Sequence, residues 1–270
     1  INLDGSASSG GDATGDQLIG IENVTGSSFD DILNGSTANE VLTGGAGDDI
    51  ITGGAGDDSL RGGSGNDILN GGAGADDIQG GNGIDTASYA GATAGVSVSL
   101  DGTLGTGGDA LGDSLTDIEI LEGSGFGDVL GGGGSADTVR GGAGDDRILG
   151  SAGADIVDGG VGFDTVDYSA SAGAVQIVLD GSQGVGGDAA NDQLISIEGV
   201  IGSTLDDSIT GSNQADVLDG GAGNDVVVGG GGDDDLRGGA GNDLIDGGAG
   251  ADRIDGGAGV DTVDYSTSTS

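Results

Sequence analysis

Single aliphatic residues recur nine positions apart over long stretches of this chain. Between residues 44 and 88 they are Ile51, Leu60, Leu69, Ile78 and, in the last unit, Ala87. Each is the middle of a three-residue run that follows six residues rich in glycine and aspartate, as in GGAGDDIIT, GGAGDDSLR and GGSGNDILN. A fixed short period marks a repeat architecture, built by stacking, in place of a globular core. The unit reads G-G-x-G-x-D-x-U-x, with U aliphatic. Its first six residues predict a turn, because glycine takes positive φ at little steric cost. Its last three predict a strand in which U points one way and its neighbours the other. Strands of three residues do not persist alone, so stacking must supply the stability. Ile51, Leu60, Leu69 and Ile78 are expected in the core, while Thr52, Arg61 and Asn70 are expected to face water.

Nineteen degenerate units fall into three runs: seven over 26–88, five over 123–167 and seven over 202–264. A second signature precedes each run. It reads INLDG…GGDATGDQLIGIENV from residue 1, VSVSLDG…GGDALGDSLTDIEIL from 96 and VQIVLDG…GGDAANDQLISIEGV from 175. The runs close alike, at Tyr89, Tyr168 and Tyr265. This gives three tandem blocks, 1–89, 90–168 and 169–270, each a spacer followed by seven, five and seven nonapeptides. From the spacer glutamate (Glu22, Glu119, Glu198) to the closing tyrosine the interval is 67, 49 and 67 residues. The difference, 18, is two units, which predicts a coil of two nonapeptides. A nine-residue change would turn the following spacer to the other sheet. The predicted fold is all-β: a parallel β-roll, or β-solenoid, with a narrow core of facing U rows between two short parallel sheets. The alternating runs VSVSL and VQIVL are expected to continue the stack and join the blocks into one rod, since no Pro- or Ser-rich linker separates them.

Composition changes this picture in one respect. The 270 residues include 68 glycines and 47 acidic residues against 5 arginines, for a net charge of −42, with no Lys, His, Pro, Cys, Met or Trp. Such charge with few aromatics opposes compaction. It also repels nucleic acid and anionic membranes, and no apolar run nears the roughly 18 residues that span a bilayer. Disulfides and thiolate metal sites are excluded, and no signal peptide is read at Ile1. Stacked coils rise about 4.8 Å apart. Asp49 is then expected above Asp67 on one edge and Asp58 above Asp76 on the other, in two ladders of carboxylates padded by glycine carbonyls. Oxygen-only, flexible, multiply anionic sites suit Ca²⁺ better than Mg²⁺. Zinc and copper lack their favoured ligands here.

Over essentially its whole length the chain resembles the RTX (repeat-in-toxin) hemolysin-type calcium-binding repeats, whose fold is a parallel β-roll. The resemblance implies that each calcium lies between the turns of units i and i+2, held by their position-six aspartates and by turn carbonyls. Carried over to this sequence, those aspartates are Asp49, Asp58, Asp67 and Asp76, then Asp137, Asp146 and Asp155, then Asp216, Asp225, Asp234, Asp243 and Asp252. One ion per pair gives at most about 13, or about +26 against the chain's own charge. Units at the ends of each run depart from the pattern. The first has Phe29, Phe126 or Leu205 in place of the third glycine, and the last has Ile84, Phe163 or Val260 at position five. These are expected to cover the edges of the core, which puts metal at Asp31, Asp85, Asp128, Asp164, Asp207 and Asp261 in question. The spacer acids Asp4, Asp12, Asp16 and Glu22, with their counterparts, either form a further calcium site or satisfy turn amides. The tyrosines are expected to cap the core.

No catalytic site is expected. Without His, Cys or Lys there is no Ser-His-Asp, Cys-His or lysine-based site and no P-loop, and the prominent carboxylates belong to the repeat. Two roles stay open. One is a calcium-rigidified rod in a secreted, extracellular protein of the surface, filament or adhesin type. The other is an accessory module that aids export and folding of a secreted protease, lipase or epimerase. Joined tail to head, the ends fall about three residues short of one more junction. This favours the first role and makes copies of itself, end to end, a candidate partner beside calcium. The resemblance further implies type I export, for which the closing STSTS supplies no recognisable signal.

Overall fold

A computed structural model describes residues 1–266. The closing STSTS therefore lies, from residue 267 on, outside the described residues. The fold is built of short parallel strands, with one three-residue 3-10 turn in each spacer, Gly11–Ala13, Gly108–Ala110 and Gly187–Ala189. The chain divides into two compact units, Ile1–Leu130 and Gly131–Ser270, a boundary that falls inside the second sequence block.

In the first unit, one parallel sheet runs Asn23–Thr25, Val41–Ala46, Ser59–Ser64, Asp77–Asn82 and Ser114–Thr116. The opposite one runs Ile32–Asn34, Ile50–Ala55, Ile68–Ala73, Thr86–Ser88 and Ile120–Glu122. Leu42 pairs with Leu60 and Leu60 with Ile78, each step being 18 residues. One coil is therefore two nonapeptides, and consecutive units alternate between the two sheets. The U residues fill the space between: Leu42, Ile51, Leu60 and Leu69 are fully buried. Arg61 is exposed, whereas Thr52 and Asn70 are half-buried.

The second unit repeats the plan. Its sheets hold Thr138–Ala143, Ile156–Val161 and Gln193–Ile195; then Arg147–Leu149, Thr165–Asp167, Gly199–Ile201, Val217–Asp219, Asp235–Ala240 and Arg253–Ala258; then Gln176–Val178, Ser208–Thr210, Val226–Val228, Leu244–Asp246 and Thr262–Val263. Three of the few cations join strands here or pair within them: Arg147 with Asp167, and Arg237 and Arg253 with Asp235.

The second and third spacers stack as expected, but each does two things. Gln176–Val178, from the VQIVL run, opens a new column that Ser208–Thr210 continues. Further on, Gln193–Ile195 closes an old column against Ile156–Val161. In the first unit Ser114–Thr116 likewise closes on Asp77–Asn82, and the Val129 amide bonds to the Val96 carbonyl at 2.9 Å, beside the VSVSL strand. The spacer thus exchanges one sheet column for another while keeping the strands parallel.

Candidate metal centre

The GGxGxD turns lie along both edges of the coils and place every position-six carboxylate in a column. The bonding is directional. The Asp49 amide donates to Asp67 Oδ1 and the Asp67 amide to Asp85 Oδ1, both at 2.8 Å. On the other edge the Glu40 amide donates to Asp58 Oδ1 and that of Asp58 to Asp76 Oδ1. The second unit repeats this from Asp137 to Asp155, Asp146 to Asp164, Asp216 to Asp234, Asp225 to Asp243 and Asp234 to Asp252. All twelve sequence-predicted aspartates stand in such columns, buried except for half-buried Asp252.

Each carboxylate has a second oxygen, and there the positions differ. Oδ2 of Asp49, Asp58, Asp67 and Asp76, and of Asp225, Asp234 and Asp243, is buried without a hydrogen-bond partner. An unpaired buried anion oxygen is costly. Burial is the leading cause that raises the pKa of Asp49, Asp58, Asp67, Asp76, Asp225 and Asp234, partly offset by the amide each accepts and reinforced in several by the next carboxylate in the column; Asp58 is pushed up to about 7 and Asp225 to about 6. Elsewhere the second oxygen is already engaged. The amides of Ser27, Ser124 and Ser203 donate to Oδ2 of Asp31, Asp128 and Asp207 in the first unit of each run. Gly133, Ser212 and the Ser151 hydroxyl do the same for Asp137, Asp216 and Asp155.

The glycines make room for these oxygens. A Cβ on Gly62 would collide with Asp67 Oδ2 and lie 2.7 Å from the Gly80 carbonyl oxygen. Two oxygens therefore face one Cα from different coils, an arrangement that a cation between them would relieve. Among the described residues no three carboxylates converge on one point, so an ion here would draw its further ligands from turn carbonyls. Oxygen donors, mixed carboxylate and carbonyl, with buried unpaired negative charge fit Ca²⁺. Asp49, Asp58, Asp67, Asp76, Asp225, Asp234 and Asp243 would hold it.

Three features were missed or left open in the sequence. Position five carries its own ladder, running opposite to that of position six: the Asn66 amide donates to Asp48 Oδ1 and the Ile84 amide to Asn66 Oδ1. The last unit on each edge needs no acceptor there, which accounts for Ala75, Ile84, Ala154, Phe163, Ala251 and Val260 at that position; the switch to apolar residues in the last two units of each run was the available signal. Where they are bonded, the spacer acids accept backbone amides. Asp4, Asp101 and Asp180 accept the amide two residues on, and the hydroxyls of Ser6, Thr103 and Ser182 first, then these amides, lower their pKa. Asp113 and Asp192 accept the amides of Asp76 and Asp155, and Glu119 and Glu198 those of Asp85 and Asp164, so the column runs on into the spacer.

The tyrosines divide. Tyr89 and Tyr168 are buried and donate their hydroxyls to Asp113 Oδ2 at 2.8 Å and Asp192 Oδ2 at 2.9 Å. Tyr265 is 66% exposed. Tyr89→Phe should therefore cost about 1–3 kcal/mol by leaving that oxygen without its donor, while Tyr265→Phe should stay within about 0.5 kcal/mol. Denaturant titration of the calcium-saturated protein measures both; equal effects would remove the hydroxyl from the argument.

A family model described as the RTX calcium-binding nonapeptide repeat (4 copies) matches residues 18–51, 25–60, 52–87, 131–166, 201–236 and 228–263, more than half of the chain. Comparison with curated proteins gave no match.

Proposed function

We propose that this chain, which belongs to the RTX calcium-binding nonapeptide repeat family, works as a structural element that calcium folds and stiffens outside the cell, within a secreted surface, filament or adhesin-type protein. The observation that carries this reading is the file of buried, unpartnered carboxylate oxygens along the turns. A chain at −42 that buries such groups gains folding free energy from any cation that binds the folded form alone. In calcium-poor cytosol the empty ladders repel and disfavour compaction. In the roughly millimolar calcium outside, sites of the weak extracellular class fill and the coils stack. We read the module as non-enzymatic, because its carboxylates are absorbed by the ladders and it has no His, Cys or Lys. None of its described helices is long and apolar enough to cross a membrane.

The test is a calcium titration of the chelated protein, followed by far-UV circular dichroism and light scattering. A cooperative coil-to-β transition is expected between about 0.1 and 1 mM Ca²⁺, with none in Mg²⁺. Scattering that grows with it supports a self-assembling rod. Scattering that stays monomeric favours the accessory module of a secreted enzyme. A chelated chain that is already β-structured and ignores calcium overturns the reading.

A further inference from the structure

We propose that the second and third spacers each complete a calcium site with the last nonapeptide before them: Asp117 and Glu119 with Asp85 in the first unit, and Ser196 and Glu198 with Asp164 in the second. The inference rests on the reading that the repeat ladders bind calcium, and extends it to a turn without the repeat motif.

Asp85 and Asp164 are fully buried. Oδ1 of each accepts the amide of the preceding coil, from Asp67 and Asp146. Oδ2 of each has no partner, as in the inner repeats. The next coil, however, is not a nonapeptide. A three-residue turn, Asp117–Ile118–Glu119, replaces the six residues of GGxGxD. Its glutamate reaches the place of the position-six aspartate: the Asp85 amide donates to Glu119 Oε2 at 2.9 Å, and the Asp164 amide to Glu198 Oε2 at 3.0 Å. The additional methylene of glutamate spans what the shortened turn leaves uncovered.

The second observation lies in the backbone. Asp117 and Ser196 both have φ of 53°, and among the described residues only Asn191 joins them as a non-glycine residue at positive φ. Holding an L-residue there strains the backbone. The conformation aims the carbonyl of residue 117 back at Gly80. A Cβ on Gly80 would collide with that oxygen and lie 2.6 Å from Asp85 Oδ2. In the second unit a Cβ on Gly159 would meet the Ser196 carbonyl oxygen and lie 2.6 Å from Asp164 Oδ2. The inner repeats show the same pair, an Oδ2 and the carbonyl of the next coil's first glycine, around Gly62 and Gly53. The spacer thus rebuilds the oxygen set of the repeat from unrelated residues, twice. The opposite edge of the spacer ends otherwise: there Asp113 Oδ2 receives the Tyr89 hydroxyl. The shortened turn lacks the carbonyls of two glycines, so these two sites should be weaker than the repeat sites and fill last.

Counting bound ions on the full chain by native mass spectrometry at increasing Ca²⁺ tests this. Glu→Gln keeps an amide-accepting oxygen, so Glu119→Gln and Glu198→Gln should match the wild type in far-UV circular dichroism at saturating calcium. Each should hold one ion fewer, and the double variant two fewer, with the loss confined to the last ions to bind. The two substitutions lie in separate compact units, so either is read alone if the other fails to fold. Asp67→Asn, inside a repeat ladder, is the control. Ion counts unchanged in both glutamine variants while Asp67→Asn loses ions would overturn the spacer sites and leave the repeat reading intact. A wild type that binds no calcium, or an Asp67→Asn count equal to wild type, would overturn the repeat reading and this inference with it.

Discussion

Stripped of calcium at pH about 7.5 and then acidified towards about 5, the chain should regain strand structure with no metal added. The buried ladder carboxylates have pKa values above the ordinary 3.8, with burial as the leading cause: Asp58 at about 7, Asp225, Asp113 and Asp192 at about 6, and Asp49, Asp67 and Asp76 raised in the same direction. In the unfolded chain these groups return to about 3.8. Between those values the metal-free folded state binds more protons than the unfolded state, so its stability falls as pH rises. The contribution is complete below about 3.8 and is lost as pH climbs through about 6–7. A proton on an unpartnered Oδ2 removes the charge that calcium would otherwise neutralise, which lets acid stand in for metal. Calcium needs the ionised form, so its apparent affinity should fall over the same window. Circular dichroism in chelator as a function of pH measures the first effect, and calcium titrations at several pH values the second. Measurements should stop near pH 5, because the isoelectric point of 4.1 invites precipitation. A chelated chain that stays coil at pH 5, or gains structure as pH rises, would remove buried carboxylates as the obstacle to folding.

Much of this fold was legible in the sequence because a stacked repeat turns tertiary contacts into sequence periodicity. Leu42, Leu60 and Ile78 touch as neighbours in a sheet and recur every 18 residues for that reason, so the coil could be inferred from spacing alone. The ladder positions of the twelve aspartates were legible on the same ground. What spacing could not show is which carboxylate oxygens are engaged. That depends on turn geometry: the amides of Ser212 and Gly133 close on Asp216 and Asp137, whereas the turn at Gly221 leaves Asp225 Oδ2 without a partner. The end units also behaved unevenly. Asp31, Asp128 and Asp207 are engaged by serine amides, but Asp85 and Asp164 keep an unpartnered oxygen. Long-range partners in the spacers had no signal at all, since Asp76 meets Asp113 across 37 residues, a separation that matches no repeat.

Gly65→Ala should be among the most damaging single-methyl changes available in this chain, although it adds no charge and sits at a turn. Gly65 has φ of +135°, where an L-residue is strained, and an added Cβ would fall on the carbonyl oxygen of Gly47 in the preceding coil. The strain costs about 1–2 kcal/mol, and forcing apart two close-packed backbones adds about 1–3 kcal/mol. The Gly65 amide also donates to the Asn82 carbonyl of the following coil at 2.9 Å, so a turn displaced to relieve the clash loosens both of its neighbours. Gly102→Ala supplies the comparison: its φ is +83°, yet nothing lies within 4 Å of an added Cβ. It should carry the conformational cost alone, about 1 kcal/mol. Denaturant titration at saturating calcium, together with the calcium midpoint of folding, measures both. The expected result is a loss of about 2–5 kcal/mol for Gly65→Ala and a folding transition displaced to higher calcium. Equal effects at the two positions would mean that the glycines serve flexibility alone. A larger effect at Gly65 would mean that they serve the close approach of coils, and with it the distance at which oxygens of adjacent turns can share one ion.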